Sequence, residues 1–192
     1  MKIHYNSPVI LTFSLIAFAV MILSSLTAGT STTALFTAWP SGLLNPLSYV
    51  RMFTHVLGHV SWEHLFGNLT LILLIGPLLE EKYGSSTMLT MIVITALITG
   101  IIAIFFTNTG LLGASGIVFM LILLSSFANI KSGHIPLTFI IIVALFLGKE
   151  FIASLKPDAV SQFAHIMGGI CGSFFDKSAK FSQKLQPFAK YS

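Results

Sequence analysis

Long apolar runs constrain this chain more than any other feature of its sequence. A helix needs ~20 residues, mostly apolar, to span the hydrocarbon core of a bilayer. The runs that approach this length cover residues 9–28, 61–79, 86–106, 113–129, 135–152 and 159–176. Only 8% of the 192 residues are charged, against ~25% in soluble domains. We therefore predict an all-α integral membrane protein with six transmembrane helices, forming one domain over residues 1–192 with no soluble domain.

The positive charges predict the orientation of these spans. Six spans leave both chain ends on one side of the membrane. Seven of the ten Lys and Arg residues then lie on that side, which the positive-inside rule assigns to the cytoplasm. The basic residues are scattered and form no stripe, so we predict no nucleic-acid partner. The predicted partner is the lipid bilayer, since membrane topology explains the distribution of the basic residues.

The connections between the predicted spans differ in length. Residues 29–60 join the first two spans and are rich in Pro, Gly and aromatic residues but nearly uncharged. We expect this segment to lie in the outer interface of the membrane or to dip into it. The links at 80–86 and 129–134 are short and lie on the predicted cytoplasmic side.

Two predicted spans carry histidine, which is costly inside a membrane and marks a candidate functional site. His64 and Asn68 are four residues apart on the second span, so they share one helical face. His165 lies on the sixth span, on one face with Gly168 and Gly172. Glycines on such a face let a neighbouring helix approach closely. We expect His165 to be pressed against that neighbour.

The fourth span begins with Gly-x-Ser-Gly, formed by Gly113, Ser115 and Gly116. Small residues can serve helix packing alone. However, the helix from Ser115 to Asn129 would be about 22 Å long, and the hydrocarbon core is ~30 Å thick. Its first residue is then expected below the outer boundary, preceded by irregular backbone. Membranes tolerate such backbone only in protein or beside a watery cavity, and hydrolysis needs such a cavity.

Five patterns in this order resemble the rhomboid family of intramembrane serine proteases, and most closely its compact GlpG-type bacterial members. The patterns are Arg-x-Phe-Thr-His with a further His, His-x-x-x-Asn, Glu-x-x-x-Gly-Ser, Gly-x-Ser-Gly and Ala-His-x-x-Gly-x-x-x-Gly. The likeness extends from about Tyr49 to Phe175. The matching residues are Arg51, Phe53, Thr54, His55, His59, His64, Asn68, Glu80, Gly84, Ser85, Gly113, Ser115, Gly116, Ala164, His165, Gly168 and Gly172. Val50 stands where the family often has Trp, and Phe119 where it often has Tyr.

The resemblance implies a serine endopeptidase of a bacterial inner membrane. Serine needs a base within hydrogen-bond reach, and we predict a Ser115–His165 dyad. Asp158 and Asp176 are too far along the chain from His165 to complete a triad. Phe119 is expected to hold the imidazole by stacking.

The developing oxyanion needs hydrogen-bond donors aimed at it. We assign these donors to the backbone N–H of Ser115 and the side chains of His64 and Asn68. Gly113, Gly116, Gly168 and Gly172 support the site.

The implied substrates are transmembrane proteins, cleaved near the outer end of a helix. The site is expected to open to the outer, periplasmic side. Residues 148–159 would cap the site, and the fifth span or its end of this loop would form the gate. No cofactor is predicted.

Other functions use some of the same residues. His55 and His59 could bind a metal, but no carboxylate is nearby in their loop, so we favour structural hydrogen bonds. Glu80 is expected to tie down the loop at Gly84 rather than to take part in chemistry.

Three other classes remain as alternatives. Haem bound between His64 and His165, for electron transfer, would explain both histidines but neither Ser115 nor Asn68. A transporter would need inverted repeats or broken spans, which the sequence does not show. A catalytically inactive rhomboid-like scaffold requires that Ser115 and His165 fail to meet. Motifs of zinc and aspartyl intramembrane proteases are absent.

Overall fold

The computed structural model describes residues 5–40 and 44–128, together with single positions 137, 140, 141, 144, 145, 169, 172 and 175. The helices in this part are α1 (Pro8–Leu26), α2 (Thr30–Leu35), α3 (Pro46–Thr54), α4 (Trp62–Tyr83), α5 (Ser85–Phe106) and α6 (Ser115–Ala128). A 3₁₀ turn, His55–Leu57, follows α3. An isolated antiparallel β-bridge joins Ala38 and Leu111.

Three of these helices, α1, α4 and α5, are long and apolar enough to cross a membrane. They coincide with the first three predicted spans. The helix α6 is apolar and begins at Ser115, where the fourth helix was expected to begin. Its 14 described residues end at Ala128, and the predicted end at residue 129 lies outside the described residues. The predicted spans 135–152 and 159–176 lie outside the described residues, except for the single positions above.

The link between the second and third spans is shorter than predicted. The sequence analysis placed it at residues 80–86, but α4 continues to Tyr83 and α5 begins at Ser85. Glu80, Glu81 and Lys82 are polar yet favourable in a helix, so they extend α4 beyond its apolar part. Gly84 alone makes the turn, with a φ of 83° that glycine adopts without strain.

Glu80 joins the ends of three helices. One carboxylate oxygen accepts hydrogen bonds from the Val9 backbone N–H at 3.0 Å and the Ser85 hydroxyl at 2.7 Å. The other accepts from the Ile10 N–H at 2.9 Å. These amides belong to the first turn of α1, where N–H groups have no partner within the helix. The bond to Ser85 ties Glu80 to the turn at Gly84, as the sequence analysis expected, and the Gly84 N–H also donates to the Glu80 carbonyl at 2.8 Å.

The core lies where α4 packs between α1 and α6. Ile10, Leu65, Ile72, Ile117 and Leu121 are almost fully buried there. Gly76 faces the Ile10 side chain, and a Cβ at this position would lie 2.7 Å from Ile10 Cδ1. The close approach of α1 and α4 therefore depends on a residue without a side chain. This packing fixes α4, which carries His64 and Asn68.

The segment between the first two spans contains helices that the sequence analysis did not predict. Asn45 caps α3 by accepting a hydrogen bond from the Leu47 N–H at 3.0 Å, and Pro46 occupies the first turn. Both residues are typical helix-start signals. α3 packs on α5, where a Cβ at Gly100 would lie 2.5 Å from the Met52 carbonyl oxygen. The placement of this segment in the outer interface stays a prediction.

Candidate active site

The backbone before α6 is irregular and is held at two points. Leu111 exchanges hydrogen bonds with Ala38, at 2.9 and 3.0 Å. The Gly113 N–H donates to the His55 carbonyl at 3.0 Å, and Gly113 has a φ of 116°. Ser115 is then the first residue of α6. The irregular stretch expected from the sequence is therefore present, and it fixes the position of Ser115 from two directions.

His64 lies against this stretch. A Cβ at Gly113 would be 2.8 Å from Cε1 and 3.1 Å from Nε2 of the His64 imidazole. Gly113 is thus required twice, for its backbone conformation and for the space that the imidazole occupies. The His64 ring therefore lies beside Gly113, two positions before Ser115.

Asn68, one turn further along α4, is 7% exposed and contacts His59. The His59 Nδ1–H donates to the Leu57 carbonyl at 3.2 Å, because a carbonyl can only accept. Its Nε2 then accepts from Asn68 Nδ2 at 3.1 Å and from the Ala114 N–H at 3.4 Å. His59 therefore links the amide of Asn68 to the backbone beside Ser115.

The two loop histidines are held neutral by their surroundings. Burial lowers the pKa of His55 to about 4, although hydrogen bonds to backbone groups oppose this change. Burial also lowers the pKa of His59 to about 4, helped by the charge of nearby His64. The rings of His59 and His64 are 5.0 Å apart, in an edge-to-face arrangement. A neutral His59 keeps the Nε2 lone pair that its two donors need.

Ser115 is half-buried at the N-terminus of α6. Its hydroxyl forms no hydrogen bond with another residue in the described part of the chain. Phe119, one turn later, is buried, and a Cβ at Gly169 would overlap its ring. A Cβ at Gly172 would lie 2.6 Å from the Met120 carbonyl oxygen. Both glycines are helical, so a second helix approaches the backbone of α6 closely.

Several predicted site residues lie outside the described residues. These are Ala164, His165 and Gly168, with the loop 148–159. Gly116 is described and buried. The structure brings together Gly113, Ser115, His64 and Asn68.

His55 and His59 form hydrogen bonds, as the sequence analysis favoured. The His55 Nδ1 bonds to the Arg51 carbonyl at 3.0 Å and Nε2 to the Thr99 hydroxyl at 3.1 Å. Among the described residues, no three His, Cys, Asp or Glu side chains form a group able to hold a metal ion. The sequence analysis missed that His59 contacts Asn68. The spacing of the two residues gave no signal of it, since a turn and a helix start separate them.

The sequence matches the family described as Rhomboid domain over residues 46–177. The chain belongs to the rhomboid family. The match covers well over half of the chain and includes α3 to α6 and His165, which confirms the resemblance found in the sequence at the family level. Rhomboids are a family of intramembrane serine proteases, so this chain is a membrane protein of a protease family. The closer GlpG-type relationship stays a prediction.

Proposed function

We propose that this rhomboid is an intramembrane serine endopeptidase that hydrolyses peptide bonds within or near the outer end of transmembrane helices. The main support is the position of Ser115. Its hydroxyl stands at a helix N-terminus, after backbone held by Ala38 and His55. Two α4 side chains reach that backbone: His64 lies against Gly113, and Asn68 is linked to Ala114 through His59. Helix packing alone requires small residues here but does not require a serine directly after backbone that His64 and His59 contact.

His165 is the proposed general base. In the predicted topology the fourth and sixth spans run in the same direction. Gly169 lies four residues after His165, and it contacts Phe119, which lies four residues after Ser115. His165 and Ser115 each lie about one helical turn before this contact on their own helix. In two helices that run in the same direction, the two residues would then be at the same level. The Phe119 ring, which lies at the close approach, would support the imidazole.

The reaction begins when the Ser115 oxygen attacks the carbonyl carbon of the scissile bond. Its proton passes to His165, and the carbonyl oxygen becomes an oxyanion. The carbon–nitrogen bond then breaks, and the proton moves from His165 to the leaving amine. Water, deprotonated by His165, then attacks the acyl-enzyme carbonyl carbon. The ester bond to Ser115 breaks, the proton returns from His165 to the serine oxygen, and the new peptide carboxyl group leaves.

The oxyanion would be stabilised by three groups. The Ser115 N–H is at the positive end of the α6 dipole, which favours negative charge. Asn68 uses one amide hydrogen for His59, which leaves its second amide hydrogen for the oxyanion. His64 provides the third donor from its place against Gly113.

The surroundings follow from the predicted topology. The chain would be a multi-pass protein of a bacterial inner membrane with cytoplasmic termini, and the site would open to the periplasmic side. Substrates would be transmembrane proteins that enter past the fifth span and the loop 148–159. The dyad needs no cofactor.

The test is cleavage of a model single-span substrate in reconstituted vesicles. We expect the unchanged protein and a Ser126→Ala control to cleave it, and Ser115→Ala to be inactive. Ser126 lies on the same helix, and among the described residues its hydroxyl bonds only to the Ile122 carbonyl. If Ser115→Ala cleaves at the normal rate, the proposal is wrong. If no variant cleaves any of several substrates, the chain is an inactive scaffold of the family.

A further inference from the structure

We propose that Arg51 and the pocket beside it bind a phosphate group, supplied by a phospholipid headgroup at the end of α1. This site is separate from the proposed catalytic residues. It is built from the turn after α1, the helix α2 and one residue of α3.

Arg51 is a buried cation whose hydrogen bonds are incomplete. Its side chain is 8% exposed. Nε and Nη2 both donate to the Ala34 carbonyl, at 2.8 and 2.6 Å. Nη1 donates to no described residue. The guanidinium is therefore held through Nε and Nη2, while the N–H groups of Nη1 remain available to a ligand.

The charge of Arg51 also has no carboxylate partner among the described residues. A buried charge is costly unless it is paired. The Ala34 carbonyl is near the C-terminus of α2 and supplies only a partial negative charge. An anion from outside the chain would complete the pairing, and a guanidinium fits phosphate oxygens with two parallel hydrogen bonds.

The pocket beside Arg51 has a volume of about 440 Å³. It is lined by Arg51 and by Ala28, Gly29, Thr30, Thr33, Ala34 and Trp39. The other side-chain donors there are already used. Thr30 donates to the Thr27 carbonyl, Thr33 to that of Gly29, and the Trp39 indole to that of Thr33. Arg51 is thus the group in this pocket with donors available to an anion.

The position of the pocket favours a lipid as the source of the phosphate. α1 is long enough to span a membrane and ends at Leu26, and the pocket begins two residues later, at Ala28. Headgroups lie at the ends of spanning helices. Trp39 lines the pocket and is partly exposed, as is typical of tryptophan at the membrane interface. The alanines and the indole suit the apolar part of a lipid beside its phosphate.

The fluorescence of Trp39 can be used to measure lipid binding to this pocket. The chain has two tryptophans, so Trp62→Phe leaves Trp39 as the single reporter. The purified protein in a maltoside detergent would be titrated with phosphatidylglycerol, with diacylglycerol of the same chains, and with inorganic phosphate. We expect a saturable change in Trp39 fluorescence with phosphatidylglycerol and none with diacylglycerol. Saturation by inorganic phosphate alone would show that the phosphate suffices without the lipid.

A pair of variants tests the role of Arg51 without removing it. Thr33→Glu places a carboxylate in the pocket, where it competes for the guanidinium, and Thr33→Gln is the neutral control of the same size. Thr33→Glu should weaken binding about tenfold or more, as expected when a charge-assisted hydrogen bond is lost. Arg51→Gln should do the same if it folds. An equal response to diacylglycerol, or unchanged binding in Thr33→Glu, would overturn the proposal.

Discussion

Two buried polar clusters in this membrane protein differ in how far their hydrogen bonds are completed. The Glu80 cluster consists of Glu80, the N–H groups of Val9 and Ile10, and the Ser85 hydroxyl. Both carboxylate oxygens are used there. The Ser115 cluster consists of Ser115, Ala114, His59, His64 and Asn68. In that cluster the Ser115 hydroxyl and one amide hydrogen of Asn68 have no partner among the described residues.

The difference indicates what each cluster can do. A cluster with completed hydrogen bonds stabilises the helices that it joins and has no group left for a ligand. A cluster with fixed but incomplete hydrogen bonds can complete them with a reacting group, and its donors do not need to reorganise. Burial alone does not distinguish the two clusters, because Glu80 is 3% exposed and Asn68 is 7% exposed.

The largest expected effect is on stability, in the Glu80 cluster. Glu80→Ala removes three hydrogen bonds to the carboxylate and leaves two amides of α1 without an acceptor, that of Ile10 buried and that of Val9 partly buried. We expect a loss of about 4 kcal/mol or more in the free energy of unfolding, with unchanged activity per folded molecule. Unfolding in denaturant measures this loss. The control is Glu81→Ala at the exposed neighbouring position; if both variants lose the same stability, the carboxylate contacts of Glu80 are unimportant.

The next effect is on rate, in the Ser115 cluster. Asn68→Ala removes a proposed oxyanion donor and should lower the cleavage rate by up to ~10²–10³-fold, and by less if His64 and the backbone compensate. The loss should appear mainly in kcat. Thr70→Ala, an exposed position on the same helix, is the control. Full activity of the double variant His64→Ala, Asn68→Ala would make both residues structural.

A smaller effect is expected at His59, which positions Asn68 and the Ala114 N–H. His59→Phe keeps a ring but removes the Nε2 acceptor, and should lower kcat about tenfold, the usual result of losing ~1.4 kcal/mol. His59→Gln offers an oxygen in a similar place and should retain most of the rate. His55→Phe is the matched control, because His55 bonds to Arg51 and Thr99 instead. Equal kcat losses in the His59→Phe and His55→Phe variants would show that both histidines act through the fold alone.

A further effect is expected on the pH dependence of stability. His55 and His59 have a pKa of about 4 in the folded protein, below the ordinary value of 6.5. Between these values the unfolded chain binds more protons than the folded one, so stability is complete above pH 6.5 and falls as the pH approaches 4. Thermal unfolding across this range measures the slope. His59→Gln should reduce it, and a flat profile in the unchanged protein would contradict the neutral state of both rings.

Local sequence patterns predicted most of the described fold. The apolar runs located α1, α4 and α5, and the short apolar run after Ser115 predicted the irregular backbone before it. Asn45 and Pro46 carried the start signal of α3, but the low charge of residues 29–60 led to the prediction of a loop. The extension of α4 to Tyr83 was missed because Glu80 and Lys82 end the apolar pattern without ending the helix.

Contacts between distant residues could not be predicted in the same way. The spacing of His64 and Asn68 placed both on one helical face. It did not show that His59 would turn its Nε2 toward Asn68 and Ala114. Likewise, Glu80 was expected to act near Gly84, and its carboxylate does bond to Ser85 there. The sequence did not show that the same carboxylate also reaches α1, seventy positions away. Such partners depend on how helices pack, which sequence periodicity does not specify.

The central claim is that Ser115 is nucleophilic because His165 activates it. A fluorophosphonate reagent, followed by mass spectrometry of the adduct, tests this claim most directly. We expect labelling of Ser115 in the unchanged protein and in Ser126→Ala, and strongly reduced labelling in His165→Ala. Gly172→Val should also reduce it, because a side chain there would collide with the Met120 carbonyl and separate the helices. Labelling of Ser115 at the normal rate in His165→Ala, or no labelling in the unchanged protein, would contradict the account.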